Sequence, residues 1–183
     1  MTPDENTILH VCLRNQSSEP GFTDFVDKIL ESCPPLLFQA NKRGETPLHL
    51  AARYGHSNVV EHLIDRTKAL PSDLESRVTK AKMMLRTTNG NEIQRCEAAR
   101  HRRSHVVEIL TKEDPEFPYP TNVHGETPLY IAASSCGRER EKVIDEILTN
   151  CISVDYGGPN GRTALHAPSK MMVRFCAQVW RMK

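Results

Sequence analysis

The chain has 183 residues, with 24 Lys and Arg against 23 Asp and Glu and a net charge of +1. Such a balance supplies no whole-molecule field to attract nucleic acid or an anionic membrane. No stretch free of charged residues approaches the ~20 apolar residues that cross a bilayer.

Apolar residues make up 38% and aromatics only 5%, so the interior is built from Leu, Ile, Val and Ala, a composition suited to close helix packing. At this length one domain, or a short stack of repeats, buries roughly two-thirds of its extended surface without help from metals or disulfides. The N-terminus, MTPDENTILHVCL, holds two acids where a signal peptide is basic, and it lacks an apolar run. A cytoplasmic chain with six reduced cysteines is expected.

The chain repeats itself. GETPLHLAARYGHSNVV at 44–60 is echoed by GETPLYIAA at 125–133 and by GRTALHA at 161–167, with weaker copies in NTILHVC at 6–12 and EIQRCEAARHRRSHVV at 92–107. Anchors at Thr7, Thr46, Ile93, Thr127 and Thr163 lie 39, 47, 34 and 36 residues apart, the spacing of a helical repeat array.

In chain order, the first copy spans 5–33 and ends in a helix with Phe25, Val26, Ile29 and Leu30 facing inward. The second, 41–67, is the clearest. Thr46 caps a helix, Pro47 takes its first position where no N–H is needed, and Gly55 ends it in the left-handed region. Leu48, Ala51 and Ala52 give that helix an apolar stripe, and Val59, Val60, Leu63 and Ile64 do the same for the next.

An inserted helix over 71–86 follows, with Ser72 and Glu75 at capping-box spacing and Leu74, Val78, Ala81 and Leu85 on one face. The third copy, 89–113, has Ile93 in place of the capping Thr and Arg95 in place of a buried Leu, which predicts local weakness. Its second helix keeps Val106, Val107 and Leu110. The fourth, 122–150, repeats the pattern with Val143, Ile144, Ile147 and Leu148. A partial fifth, 156–167, is interrupted by Pro168, which removes a backbone donor within the helix.

Residues 168–183 form a tail with four basic residues and no acid, against 20 basic and 23 acidic residues before it. Met172, Phe175, Cys176 and Val179 are at helical spacing. A capping helix over the end of the stack, a disordered remnant and a basic amphipathic docking helix all fit this pattern.

Through TILH at 7–10, TPLH at 46–49, TPLY at 127–130 and TALH at 163–166, the chain resembles the ankyrin-repeat family. The resemblance implies an all-α solenoid of stacked helix-turn-helix units, with β-turn or hairpin fingers at Asn41–Glu45, around Asn89–Asn91, at Asn122–Glu126 and at Tyr156–Arg162. It also implies hydrogen bonding between repeats for His49 and His166. With EDPEFPYPTNVHGETPLYIAA and SVDYGGPNGRTALHA, the chain further resembles plant ankyrin-repeat membrane proteins of the accelerated cell death type. That subfamily carries a C-terminal multi-helix domain of the PGG class, and the resemblance implies defence and stress signalling at the cytosolic side of the plasma membrane. The aborted fifth copy reads as truncation or alternative splicing before that domain.

Catalytic and metal-binding patterns are weak. Cys96, His101 and His105 suggest zinc by composition, but a turn between the two histidines breaks the one-face geometry. No cysteine has a recognisable base beside it, and there is no G-x-S-x-G elbow, P-loop or G-x-G-x-x-G; no cofactor is implied. The basic run Arg100, His101, Arg102 and Arg103 lacks the interleaved aromatics of a nucleic-acid reader and reads first as a solvated turn.

The expected function is non-catalytic protein–protein interaction. Exposed positions in and beside the fingers carry it: Lys42, Arg43, Glu45, Tyr54, His56, Val123, His124 and Glu126. Two alternatives stand beside this, a fragment of a multi-pass membrane signalling protein and a nucleic-acid cofactor acting through 100–103.

Overall fold

A computed structural model describes residues 3–15, 21–70, 80–89, 94–117, 120–137 and 139–166, with only the backbone for Gln94 and Arg95. The expectations for Leu74, Val78, Ile93, the Arg95 side chain, Pro168 and the tail 168–183 lie outside these residues.

The helices are α1 (Ile8–Asn15), α2 (Phe22–Ser32), α3 (Pro47–Tyr54), α4 (Ser57–Lys68), α5 (Lys80–Arg86), α6 (Gln94–Arg100), α7 (Ser104–Glu113), α8 (Pro128–Ser134) and α9 (Glu139–Asn150). Short 3-10 turns lie at Pro34–Leu37, Pro159–Gly161 and Ala164–His166. The helices pair into hairpins, and the hairpins stack. α1, α3, α6 and α8 form an inner row continued by the 164–166 turn, while α2, α4, α7 and α9 form an outer row. Among the described residues there is no strand; an antiparallel bridge joins Gly157 and Thr163. None of the described helices is long and apolar enough to cross a membrane.

Local chemistry sets each hairpin. Thr46 is extended, Pro47 opens α3, and Gly55 closes it at φ 83° with its N–H donating to the Ala51 carbonyl. Small residues let the inner row approach closely: Ala51, Ala52, Ala98, Ala99, Ala132 and Ala133 are all buried. Packing of this density makes any added methylene felt in the neighbouring repeat.

The first hairpin departs from its expected face. Val26 and Leu30 are buried, but Phe25 is 43% exposed, although its counterparts Val59, Val106 and Val143 are buried. Among the described residues no hairpin precedes α2, whereas α4, α7 and α9 each have one packed against that side. Ile8 and Val11 are exposed for the same reason, while Pro47 and Leu50 at the same register are buried.

Ala81 and Leu85 of the inserted segment are buried, together with Met84, and α5 packs on α4. Arg86 fastens it to the region after α7. Its Nε and Nη2 donate to the buried Asp114 carboxylate at 2.7 and 3.1 Å, and its guanidinium lies 4.7 Å over the Phe117 ring.

Candidate protein-interaction surface

Two fingers are built alike. In the turn 41–45 the Asn41 N–H donates to the Glu45 carbonyl and the Gly44 N–H to the Asn41 carbonyl. The Asn41 side-chain oxygen accepts from the Arg43 and Glu45 N–H groups, and its Nδ2 donates to Glu45 Oε2. Asn122, His124, Gly125 and Glu126 reproduce every one of these bonds. Asn side chains that satisfy the turn from within fix its shape without a partner strand. Gly44 at φ 72° is required twice over, since a Cβ there would also meet the Asn89 backbone of the next finger at 3.1 Å.

Histidine joins cap to finger. His10 Nδ1 accepts from the Thr7 N–H at 3.3 Å, and its Nε2 donates to the Glu45 carbonyl at 2.8 Å. Because a carbonyl only accepts, the proton sits on Nε2. Nδ1 of His49 and of His166 accepts in the same way from the N–H groups of Thr46 and Thr163. At the fourth cap Tyr130 replaces histidine, and the Thr127 hydroxyl accepts from the Tyr130 N–H and donates to the Gly157 carbonyl.

An arginine recurs at the seventh residue after three of the anchors, as Arg14, Arg53 and Arg100. Arg53 bridges two repeats. Its Nη1 lies 2.7 Å from Glu45 Oε1, and its Nε and Nη2 donate to Glu97 at 3.0 and 2.5 Å. Glu97 occupies the register of Val11, Leu50 and Ile131, an apolar position elsewhere, and is buried. The hydrogen bond to Glu97 raises the Arg53 pKa above its ordinary value despite burial, with the charges of Glu97 and Glu45 adding to it. Burial pushes the Glu45 carboxyl up, but the Asn41 hydrogen bond and Arg53 outweigh it and hold the group below the usual carboxylate range. Glu126 behaves likewise, burial being overcome by hydrogen bonds from Asn122 and from Arg100 at 2.9 Å.

The basic run is not a free turn. Arg100 pairs with Glu126, Arg102 donates to the Cys136 carbonyl, and Arg103 donates to the Arg53 carbonyl at 3.2 Å. Three arginines thus clasp the repeats on either side. His101 is held below its ordinary pKa, by burial first and then by Arg53, Arg103 and Arg100 against the opposing pull of Glu97.

The eight residues named from sequence divide by exposure. Lys42, Arg43, Val123 and His124 are exposed fingertip positions, Val123 at 62%. Tyr54, His56 and Glu126 are half-buried, and His56 Nε2 donates to the Leu13 carbonyl at 2.9 Å. Glu45, read from sequence as exposed, is buried because its carboxylate lies between Asn41 and Arg53. The sequence pattern passes over Arg14, Arg53 and Glu97 and marks Arg100 only within the basic run 100–103, although arginine in the same slot of three copies is the available signal.

These side chains line two adjoining grooves between the fingers and the inner helices. One, about 410 Å³, is bounded by Asp4, His10, Arg14, Arg43, Arg53 and Tyr54. The other, about 700 Å³, is bounded by Arg43, Arg53, Asn89, Arg100, Val123 and His124. Arg43, Glu45 and Arg53 are common to both, so the two form one continuous face across successive repeats.

The family model for ankyrin repeats in three copies matches residues 1–77. The chain is 28% identical over 145 residues to the protein Accelerated Cell Death 6 of Arabidopsis thaliana, covering 78% of this chain and 21% of that one. It therefore spans about a fifth of that relative's length. The crystal structure of the ankyrin repeat protein EF0377 superposes with a TM-score of 0.69 at 14% identity, covering 100% of this chain and 81% of that one. Residues 1–77 thus carry ankyrin repeats, and the Thr-anchored hairpins stacked in inner and outer rows have the fold of an ankyrin-repeat solenoid.

Proposed function

We propose that the chain is a non-catalytic interaction module that grips a protein partner along the fingers and inner helices, and that it serves plant defence or stress signalling on the cytosolic side of the plasma membrane. The observation that supports the binding surface is the continuous face of two grooves meeting at Arg43 and Arg53. Repeat stacks suit this task because successive units lengthen a recognition face without altering the core. The signalling context draws on the name of the Arabidopsis relative, a cell death protein. Binding takes place at Lys42, Arg43, Tyr54, His56, Val123, His124 and Glu126, with the exposed fingertips making first contact and the buried Glu45 holding the finger and Arg53 in place beneath them.

A photo-crosslinking amino acid placed at position 43 or 123, and at the 73% exposed Asp65 on the outer row, tests this in plant cytosolic extract. Protein adducts form from 43 and 123 but not from 65, and replacing Lys42, Arg43 and His124 together by Ala removes the adduct formed from 123. Equal adducts from 65, or adducts indifferent to that replacement, would move the interface elsewhere.

A further inference from the structure

We infer that the face recognises an acidic, extended polypeptide segment, an inference that rests on the interaction reading above and adds the chemistry of the partner. Three observations converge. The repeat register sets Arg14, Arg53 and Arg100 in a row along the inner helices, all on the groove walls. The two like-built fingers place Arg43 and His124 at the same turn position above that row. The acids of the face are drawn inward. The side chains of Glu45 and Glu97 are each 7% exposed, and that of Glu126 is 21% exposed, whereas those of Arg100 and His101 reach 39% and 42%. Among the groove-lining residues Asp4 is the one exposed acid.

A partner passing along the groove therefore meets guanidinium and imidazole edges, with the compensating carboxylates beneath them. Among the described residues, no hydrogen bond or ion pair engages the side chain of Arg14, Arg43 or His124, so their donors remain available to a carboxylate. Guanidinium is suited to that because its planar fork matches the two carboxylate oxygens. Val123, 62% exposed and lining the same groove as Arg43 and His124, offers an apolar contact for one residue of the segment. A polynucleotide fits less well. The chain has a net charge of only +1, carboxylates sit directly under the arginine row, and among the described groove-lining residues Tyr54 is the one aromatic ring besides the histidines and is half-buried, too little for a run of stacked bases.

The test uses the full chain and three fluorescein-labelled probes: a short glutamate-rich peptide with a central leucine, its lysine-for-glutamate counterpart, and a single-stranded DNA oligonucleotide. The glutamate peptide binds, and its affinity falls as salt rises. Reversing Arg14→Glu and Arg43→Glu together weakens it about tenfold or more, while a reversal on the outer face, Lys28→Glu, leaves it unchanged. The milder pair Arg14→Gln and Arg43→Gln gives an intermediate loss, and an unaltered circular dichroism melt of each variant shows that folding is retained. DNA binding as tight as the peptide, preference for the lysine peptide, or indifference to both arginine pairs would each overturn the inference. If adducts from position 123 persist undiminished in the Arg14→Glu, Arg43→Glu chain, the interaction face stands and the acidic segment is excluded.

Discussion

The imidazole Nε2 of His10 donates across the first repeat boundary to the backbone carbonyl of Glu45 at 2.8 Å. One ring therefore caps its own helix and pins the next finger. Replacing His10 by Ala removes both bonds and leaves a buried carbonyl without that donor. The expected cost is about 1–2 kcal/mol, from a lost cap and a lost buried hydrogen bond, since the Glu45 carbonyl keeps the Asn41 N–H. Urea melts read it as a lower midpoint, and loss confined to a few tenths of a kcal/mol would remove the inter-repeat role.

Arg53 lies between two buried carboxylates from successive repeats, so its truncation strands both. Arg53→Met is expected to cost about 3 kcal/mol or more, since breaking a buried pair exposes the survivor's desolvation penalty. Adding Glu97→Leu, the residue type that Leu50 shows at this register, restores part of the loss. Equilibrium denaturation of the single and double variants checks the sign of that coupling.

Acid should loosen the fingers. Glu45 and Glu126 titrate below the unfolded carboxylate value of about 4.3. The unfolded chain takes up protons first as pH falls, so stability is complete above that value and is lost progressively below it. His101, also depressed, acts in the same direction at higher pH, below its unfolded value of about 6.5. Thermal melts across this range should show a stability slope that Glu45→Gln and Glu126→Gln flatten at the acid end.

Gly158 lies against Tyr130, where an added Cβ would come within 2.2 Å of the ring. Gly158→Ala therefore forces the tyrosine aside and is expected to cost about 1–3 kcal/mol by overpacking. Tyr130→Ala or Tyr130→His in the same chain opens space and recovers part of the melting temperature. A neutral single variant would mean that the ring moves freely.

The hairpins were legible because their signals are local. Thr46, Pro47 and Gly55 each do one job within a single turn of helix, and the apolar stripes follow helical periodicity without reference to the rest of the chain. The face was less legible because its key contacts join residues far apart in sequence. Arg53 and Glu97 are separated by 44 positions, and neither carries a mark of the other. Glu45 reads as surface since acids in turns ordinarily are; only the arginine of α3 and the Asn41 amide make its burial tolerable. The run 100–103 misleads in the opposite way. Its charges suggest solvent, but three of its arginines end on carbonyls or a carboxylate of adjoining hairpins.

The turn joining α6 to α7 places Arg102 at φ 56°, where the equivalent Gly55 sits at φ 83°. A side chain in that region costs about 1–2 kcal/mol, met here by the Arg102 bond to the Cys136 carbonyl of the following hairpin. The third hairpin is thus held from both flanks, by Arg103 at the Arg53 carbonyl on one side and by Arg100 and Arg102 at Glu126 and the Cys136 carbonyl on the other. A partner that spans Arg53 and Arg100 would act as a splint on this joint, lengthening the lifetime of the whole stack beyond what its own contact area confers.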